Sequence, residues 1–295
     1  MQEHSLDVVF DMETRDPDDF FALCFLLSHP GVNLILVTAN PGSEEQVALI
    51  REVLSRCDAN GTPVGSRNPR PNSNAVSDFH HQVLGNIGRA EPDGIAHVLL
   101  AEAFATHPQA TLLTGAPLHN GRLLLNNHPT VRIQRWVGQG GFAGDNLVPP
   151  QHRLAKFEGL QTCVTRNLSA DGKAARMMLS SDCILRKELV SKNVCHGVRY
   201  DRPMHNRLYD AGLGTSGLRL IYEGMALYLR QFPEGKMFHD PLAACIAVDP
   251  GIATFAEVDI IEVSGEWGAR PCRDTKTFIT TAVDRERFFH TLVRH

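Results

Sequence analysis

No stretch of this 295-residue chain approaches the roughly 20 apolar residues that a helix needs to cross a bilayer, so no membrane span is expected. Runs of basic residues are missing as well. With 29 Lys and Arg against 33 Asp and Glu, the formal charge is −4, which argues against a general binder of nucleic acid or of membrane surfaces. The opening residues, MQEHSLDVVFDMETRDP, lack a basic segment followed by a long apolar one, and no signal peptide is expected. There is no Cys-x-x-Cys pair. The seven cysteines are scattered and odd in number, a usage that suits free thiols in a reducing compartment. A cytoplasmic protein is the expectation. Internal repeats and linker-like segments are also absent, and α/β chains of this length commonly form one unit. One domain over residues 1–295 is expected.

What is present is an alternation of apolar strand-like runs and segments of helical period. LDVVF (Leu6–Phe10) reads as a buried strand. DPDDFFALCFLLSHP then reads as a helix, with Asp16 as N-cap, Pro17 in the first turn, and Asp18 and Asp19 where the helix dipole favours acids. Val32–Ala39 is a second strand, and Glu44–Cys57 has helical spacing of Val47, Ile50 and Leu54. The pattern continues with a helix near Ile95–Thr106, a strand at Thr111–Gly115, a helix from about Leu118 and a strand at Val131–Val137. Helices near Lys173–Leu179, Leu218–Phe232 and Asp240–Val248 follow, then strands at EVDIIEV and KTFITTAV. Such alternation predicts an α/β fold with a mainly parallel open sheet and helices on both faces. Two stretches, Ser66–Ala90 and Gly138–His152, read as long loops. Long loops in a compact domain are more often functional than ornamental.

The oddest feature is DMETRDPDD, which puts five carboxylates into the nine positions Asp11–Asp19. A carboxylate pair at about 4 Å repels by roughly 4 kcal/mol at an effective dielectric near 20. Helix capping accounts for Asp16, Asp18 and Asp19 but not for Asp11 and Glu13, at the C-terminal end of the first strand. Ligand sites of open α/β sheets lie at that edge, and a hard divalent cation relieves such repulsion by binding the oxygens. One chemistry that suits VVFDMET is a phosphatase of the haloacid-dehalogenase type, with Asp11 as nucleophile and Glu13 as acid/base. The chain lacks a late acidic pair in a fitting context for it.

A second chemistry draws on the whole chain. The block resembles the D-x-D-x-x-x-D-D signature of the inosine–uridine-preferring nucleoside hydrolases, with one extra residue and Glu13 in place of the second Asp. TGAPLHN (Thr114–Asn120), GGFAGDN (Gly140–Asn146), TRNLSADGKAA (Thr165–Ala175) and FHDPLAACIAVDP (Phe238–Pro250) are similar to later motifs of that family, in family order. The resemblance implies the nucleoside-hydrolase fold and calcium-dependent hydrolysis of an N-ribosidic bond, with a small ribosyl compound as substrate. It also implies a homodimer or homotetramer. Asp19 and Asp240 match metal ligands, along with Asp11 and Glu13 of the opening block and the backbone carbonyl of His119. Glu13 falls where the family has its general base, with Asp11 next in line. Asp18 matches the acid that holds the ribose hydroxyls, Asn146 and Asn167 match ribose-binding asparagines, and His239 sits where some members have a leaving-group acid.

Each residue also has a plainer reading. Asp240 suits an N-cap, His239 a satisfied histidine, and the asparagines a turn. Cys195 and His196 are adjacent in sequence, which does not make a nucleophile–base pair, and Cys195 reads as structural. Two departures stand out. The altered opening block raises the alternative of a catalytically silent ribosyl-binding protein. Thr165, followed by Arg166 and with Lys156 nearby, replaces a family Glu that contacts the 5′ end of the sugar, which would admit a 5′-phosphate.

Overall fold

The computed structural model describes residues 5–295. Its strands are β1 (Leu6–Met12), β2 (Val32–Ala39), β3 (Val64–Ser66), β4 (Gly94–Ile95), β5 (Thr111–Thr114) and β6 (Arg135–Gln139), then β7 (Lys187–Val190), β8 (Arg199–Tyr200), β9 (Lys236–Met237), β10 (Ala253–Val263), β11 (Glu266–Pro271) and β12 (Thr277–Val283). Ten of them form one sheet in the order β11-β10-β12-β7-β6-β5-β1-β2-β3-β4. The pairs from β12 to β4 are parallel, and β10 runs antiparallel to both its neighbours. β8 and β9 form a separate antiparallel pair. The mainly parallel α/β sheet expected from the alternation is what the chain forms.

β1 lies at the centre because its side chains are apolar on both faces. Val8, Val9, Phe10 and Met12 have no exposed surface, as the strands of a sheet covered on both sides require. Alternate residues serve opposite layers: Val8, Phe10 and Met12 join the larger core cluster and Val9 the smaller. The helix Asp18–Ser28 is buried over nearly its whole length and packs against the helices Ser216–Gln231 and His239–Val248. Full burial of each of its phenylalanines is worth about 1.5–3 kcal/mol. Gly217 permits the close approach, since a Cβ there would lie 2.2 Å from the Cys24 carbonyl oxygen. Among the described residues no helix is long and apolar enough to cross a membrane.

The chain runs outward from β1 through β2, β3 and β4, then returns to build the other side from β5. The β1/β5 boundary is therefore the topological switch point, where the strand ends open a crevice. The structure also corrects parts of the sequence reading. The strand expected at Val131–Val137 starts at Arg135 and runs to Gln139, with Ile133 making only an isolated bridge to Ile184. β7 was not foreseen, because half of its four residues are Lys187 and Glu188. Both are buried, Glu188 against Arg135 at 2.7 Å and Lys187 with Nζ donating to the Ile184 carbonyl at 3.1 Å. The stretch Ser66–Ala90, expected as loop, contains a helix at Asp78–Leu84.

Candidate active site

Asp11 is the last buried acid on β1, paired across the sheet with Thr38 on β2 and Thr114 on β5. Its Oδ1 accepts the Thr38 hydroxyl at 2.6 Å and the Asn120 amide at 2.7 Å, while its buried Oδ2 has no hydrogen-bond partner. Burial pushes its pKa up to about 6 against the pull of those two bonds. Past the strand, Glu13 is buried with Oε1 3.5 Å from the Arg166 guanidinium. Burial raises its pKa too, and Arg166 works against the rise.

The first turn of the helix Asp18–Ser28 brings in the next acids. Pro17 already has helical dihedrals, and Asp16 Oδ1 accepts the Asp18 N–H at 3.0 Å, so Asp16 serves the capping role expected of it. Asp16 also takes Lys236 Nζ at 2.5 Å, and the same ammonium lies 3.7 Å from Asp18 Oδ1. Burial disfavours the charge on Lys236, yet Asp18 and Asp16 outweigh it and raise its pKa. Asp18 Oδ2 accepts the backbone N–H groups of His239 and Asp240 at 2.8 and 3.1 Å. It thereby caps the helix His239–Val248, which has no side-chain cap of its own.

Asp19 and Asp240 face one another with one oxygen each buried and without a hydrogen-bond partner. Both pKa values are pushed well up, first by burial and then by neighbouring carboxylates, Glu13 and Asp18 for Asp19, and Asp19 and Asp18 for Asp240. The two oxygens converge on Gly115, just past β5. A Cβ on that residue would lie 2.2 Å from Asp19 Oδ1 and 2.9 Å from Asp240 Oδ1. Only a residue without a side chain leaves that space open. Two orphaned carboxylate oxygens around a cradle are the donor set of a hard divalent cation, and these residues fit one. Among the described residues, the one trio of His, Cys, Asp or Glu whose ligand atoms all lie within 4.8 Å of each other is Cys195, His196 and His239. The acids are spread more openly around their close pair.

A cleft of about 250 Å³ is lined by Glu13, Asp16, Asp18 and Asp240 on its acidic part and by Arg166, Lys192, His196 and His239 elsewhere. Thr165 and Asn167 also line it. Thr165 is buried with its hydroxyl unpartnered. Asn167 Nδ2 donates to the Gly115 carbonyl at 2.8 Å and to Gln139 Oε1 at 2.9 Å. The His239 ring lies tilted by 38° against that of His196 with centroids 4.6 Å apart, its Nδ1 3.6 Å from Asp18 Oδ2. Burial, against the pull of Asp18, lowers the pKa of His239 and keeps the ring neutral near pH 7. Cys195 is buried, with its thiol pushed up to about 12 by burial, which suits a structural thiol. A larger cleft of about 590 Å³ lies by the Arg70–Asn74 segment and lacks these acids.

One expected residue stands apart, and a second leaves only its backbone for the role expected of it. Asn146 is exposed and outside the cleft lining, with Nδ2 donating to the Ala269 carbonyl at 3.1 Å. The His119 ring turns to Asp171 at 3.3 Å. Lys236, His196, Gln139 and Thr38 enter the site or support it without a sequence signal, and Asn120, the last residue of the TGAPLHN motif, supports Asp11. Their roles follow from partners distant in the chain.

A family model described as inosine-uridine preferring nucleoside hydrolase matches residues 8–290. The chain belongs to that family. A phosphatase of the haloacid-dehalogenase type is thereby set aside. As a nucleoside hydrolase, the protein is an N-ribosyl hydrolase, a glycosidase acting on N-glycosyl compounds. An uncharacterized protein of Aquifex aeolicus (strain VF5) is 26% identical over 295 residues, covering 96% of each chain. The pyrimidine-specific ribonucleoside hydrolase RihA of Salmonella paratyphi A is 23% identical over 89% of this chain and 86% of its own. The solved structure of an inosine-guanosine nucleoside hydrolase superposes with a TM-score of 0.73 at 15% identity, covering 97% of each chain. The nucleoside-hydrolase fold is common to both.

Proposed function

We propose that this nucleoside hydrolase cleaves the N-ribosidic bond of a ribosyl compound with a calcium ion seated between Asp19 and Asp240. The observation that carries the reading is the pair of orphaned oxygens of these two acids over Gly115. Asp11, through its free Oδ2, Glu13 and the His119 carbonyl complete the proposed ligand set. When bound, the ion lowers the pKa of a water and anchors sugar hydroxyls.

The chain's own residues do the rest. Glu13, at the cleft wall, takes the proton from the attacking water. Asp18 and Asn167 accept hydrogen bonds from the ribose hydroxyls and fix the ring. Positive charge grows on the sugar in an oxocarbenium-like transition state, and the acidic lining stabilises it. His239, its ring against that of His196, is assigned to the departing base. The test is a panel of purine and pyrimidine nucleosides and their phosphates, with free base read by chromatography and ribose by reducing-sugar assay. Base release from at least one compound is expected. Phosphate release without base release contradicts the proposal.

A further inference from the structure

The positive charges in the cleft wall and just behind it divide into two groups. Lys236 is neutralised by Asp16 and Asp18, and Arg166 by Glu13. Lys192 and Lys156 are not matched in this way. Lys192 Nζ donates to the Val164 carbonyl at 2.9 Å, and Lys156 Nζ donates to His196 Nδ1 at 2.7 Å. Both ammonium groups flank the Phe157 ring, 5.8 and 5.1 Å from its centroid. Burial and the charges of Lys192 and Arg199 lower the Lys156 pKa, with only the Cys195 thiol favouring its charge. Thr165, which lines the cleft together with Lys192, is 3% exposed and its hydroxyl has no hydrogen-bond partner. An unpaired buried hydroxyl costs about 1–3 kcal/mol, and clustered cations repel. A neutral 5′-hydroxyl can pair with Thr165 but leaves the repulsion between the cations standing.

We infer that the substrate is a ribosyl compound bearing a 5′-phosphate, seated against Thr165, Lys192 and Lys156 while its ribose lies among the acids. This rests on the hydrolase reading above. A phosphate suits the place because it carries about −1.5 to −2 charges and three acceptor oxygens. Two ammonium groups and a hydroxyl match that charge and that number. The 5′ position follows from the sugar's shape: its exocyclic arm is the part that extends beyond a ring held by its 2′ and 3′ hydroxyls.

The experiment has two arms, on the full chain with saturating calcium. Calorimetry compares ribose 5-phosphate with ribose, and steady-state kinetics compares each nucleoside with its 5′-monophosphate. Wild type should bind ribose 5-phosphate at least tenfold more tightly than ribose and favour the monophosphate in kcat/KM. Lys192→Met and, separately, Lys156→Met should each shrink both ratios severalfold, with folding checked by thermal melting. Equal affinity for the two sugars overturns the inference, as do ratios that neither variant changes. Base release from neutral nucleosides with no phosphate preference overturns the inference and leaves the hydrolase reading standing. No base release from either kind of compound overturns both.

Discussion

Asp18 and Asp240 lie 222 residues apart and are joined by a hydrogen bond in which Asp18 Oδ2 accepts the Asp240 backbone N–H at 3.1 Å. An acid of the opening block thus supplies the missing cap of the helix that carries Asp240. An Asp-to-Ala loss at a cap costs about 0.5–2 kcal/mol. Asp18→Asn keeps an acceptor oxygen and sheds a charge that burial disfavours, against the pull of Lys236. In urea denaturation without added metal, Asp18→Asn should therefore be more stable than Asp18→Ala by about 1 kcal/mol. Equal stability of the two variants would show that the cap contributes nothing.

The acids that suit a cation strain the fold without one. Asp240 has its pKa raised well above the ordinary value by burial and by Asp19 and Asp18. A carboxyl whose folded pKa exceeds its unfolded one binds its proton more tightly when folded. Stability then falls as pH rises from the unfolded value toward the folded one, and the loss is complete above it. Asp240→Asn should remove that loss at pH 7 and raise the metal-free Tm. A gain of about 1 kcal/mol corresponds to roughly 2–4 °C in a chain of this size class. The variant should also lose any upward shift of Tm with calcium. Differential scanning fluorimetry with and without the ion checks both.

Gly115 gives a sharper probe of the same place. Gly115→Ala adds one methyl at a point 2.2 Å from Asp19 Oδ1 and 2.9 Å from Asp240 Oδ1. No partner is deleted, so the substitution tests space alone. Calcium affinity should fall at least tenfold, about 1.4 kcal/mol or more, while the far-ultraviolet circular dichroism stays that of the wild type. Unchanged affinity in calorimetry would place the ion elsewhere.

The acids of the first block were legible because charge so dense on the end of an apolar run has few structural explanations. β1, β2 and the helix at His239–Val248 were legible through apolar periodicity. β7 was not, since Lys187 and Glu188 look like surface residues and are buried only through the Ile184 carbonyl and Arg135. Lys236 and His196 carry no local signature either. Each gains its role from an element far away in the chain, Asp16 and Asp18 for the one, Lys156 and His239 for the other. Asn146 differs again: its glycine-rich motif suggested a sugar contact, and its amide donates to the Ala269 carbonyl outside the cleft lining.

His80 sets a pH dependence away from the site. It has no exposed surface, its Nδ1 meets the Ser77 hydroxyl at 2.8 Å, and its ring packs edge-on to Phe20. Burial pushes its pKa down to about 4 from 6.5. The unfolded chain therefore binds more protons than the folded one between those values, and stability rises with pH across that window. The contribution is present above pH 6.5, is lost as pH falls toward 4, and is on the order of 3 kcal/mol. His80→Gln should flatten the difference between urea midpoints at pH 7 and pH 4.5 relative to wild type. A slope identical to wild type would mean that His80 is solvated in the folded state.

The most direct measurement is base release by chelator-stripped protein before and after calcium is restored, on the best compound of the nucleoside and nucleotide panel. The account predicts turnover that is lost on stripping, returns with calcium, and does not return in Asp240→Asn at any concentration that saturates the wild type. Full turnover by the stripped wild-type protein, or calcium rescue of Asp240→Asn to the wild-type rate, would contradict it.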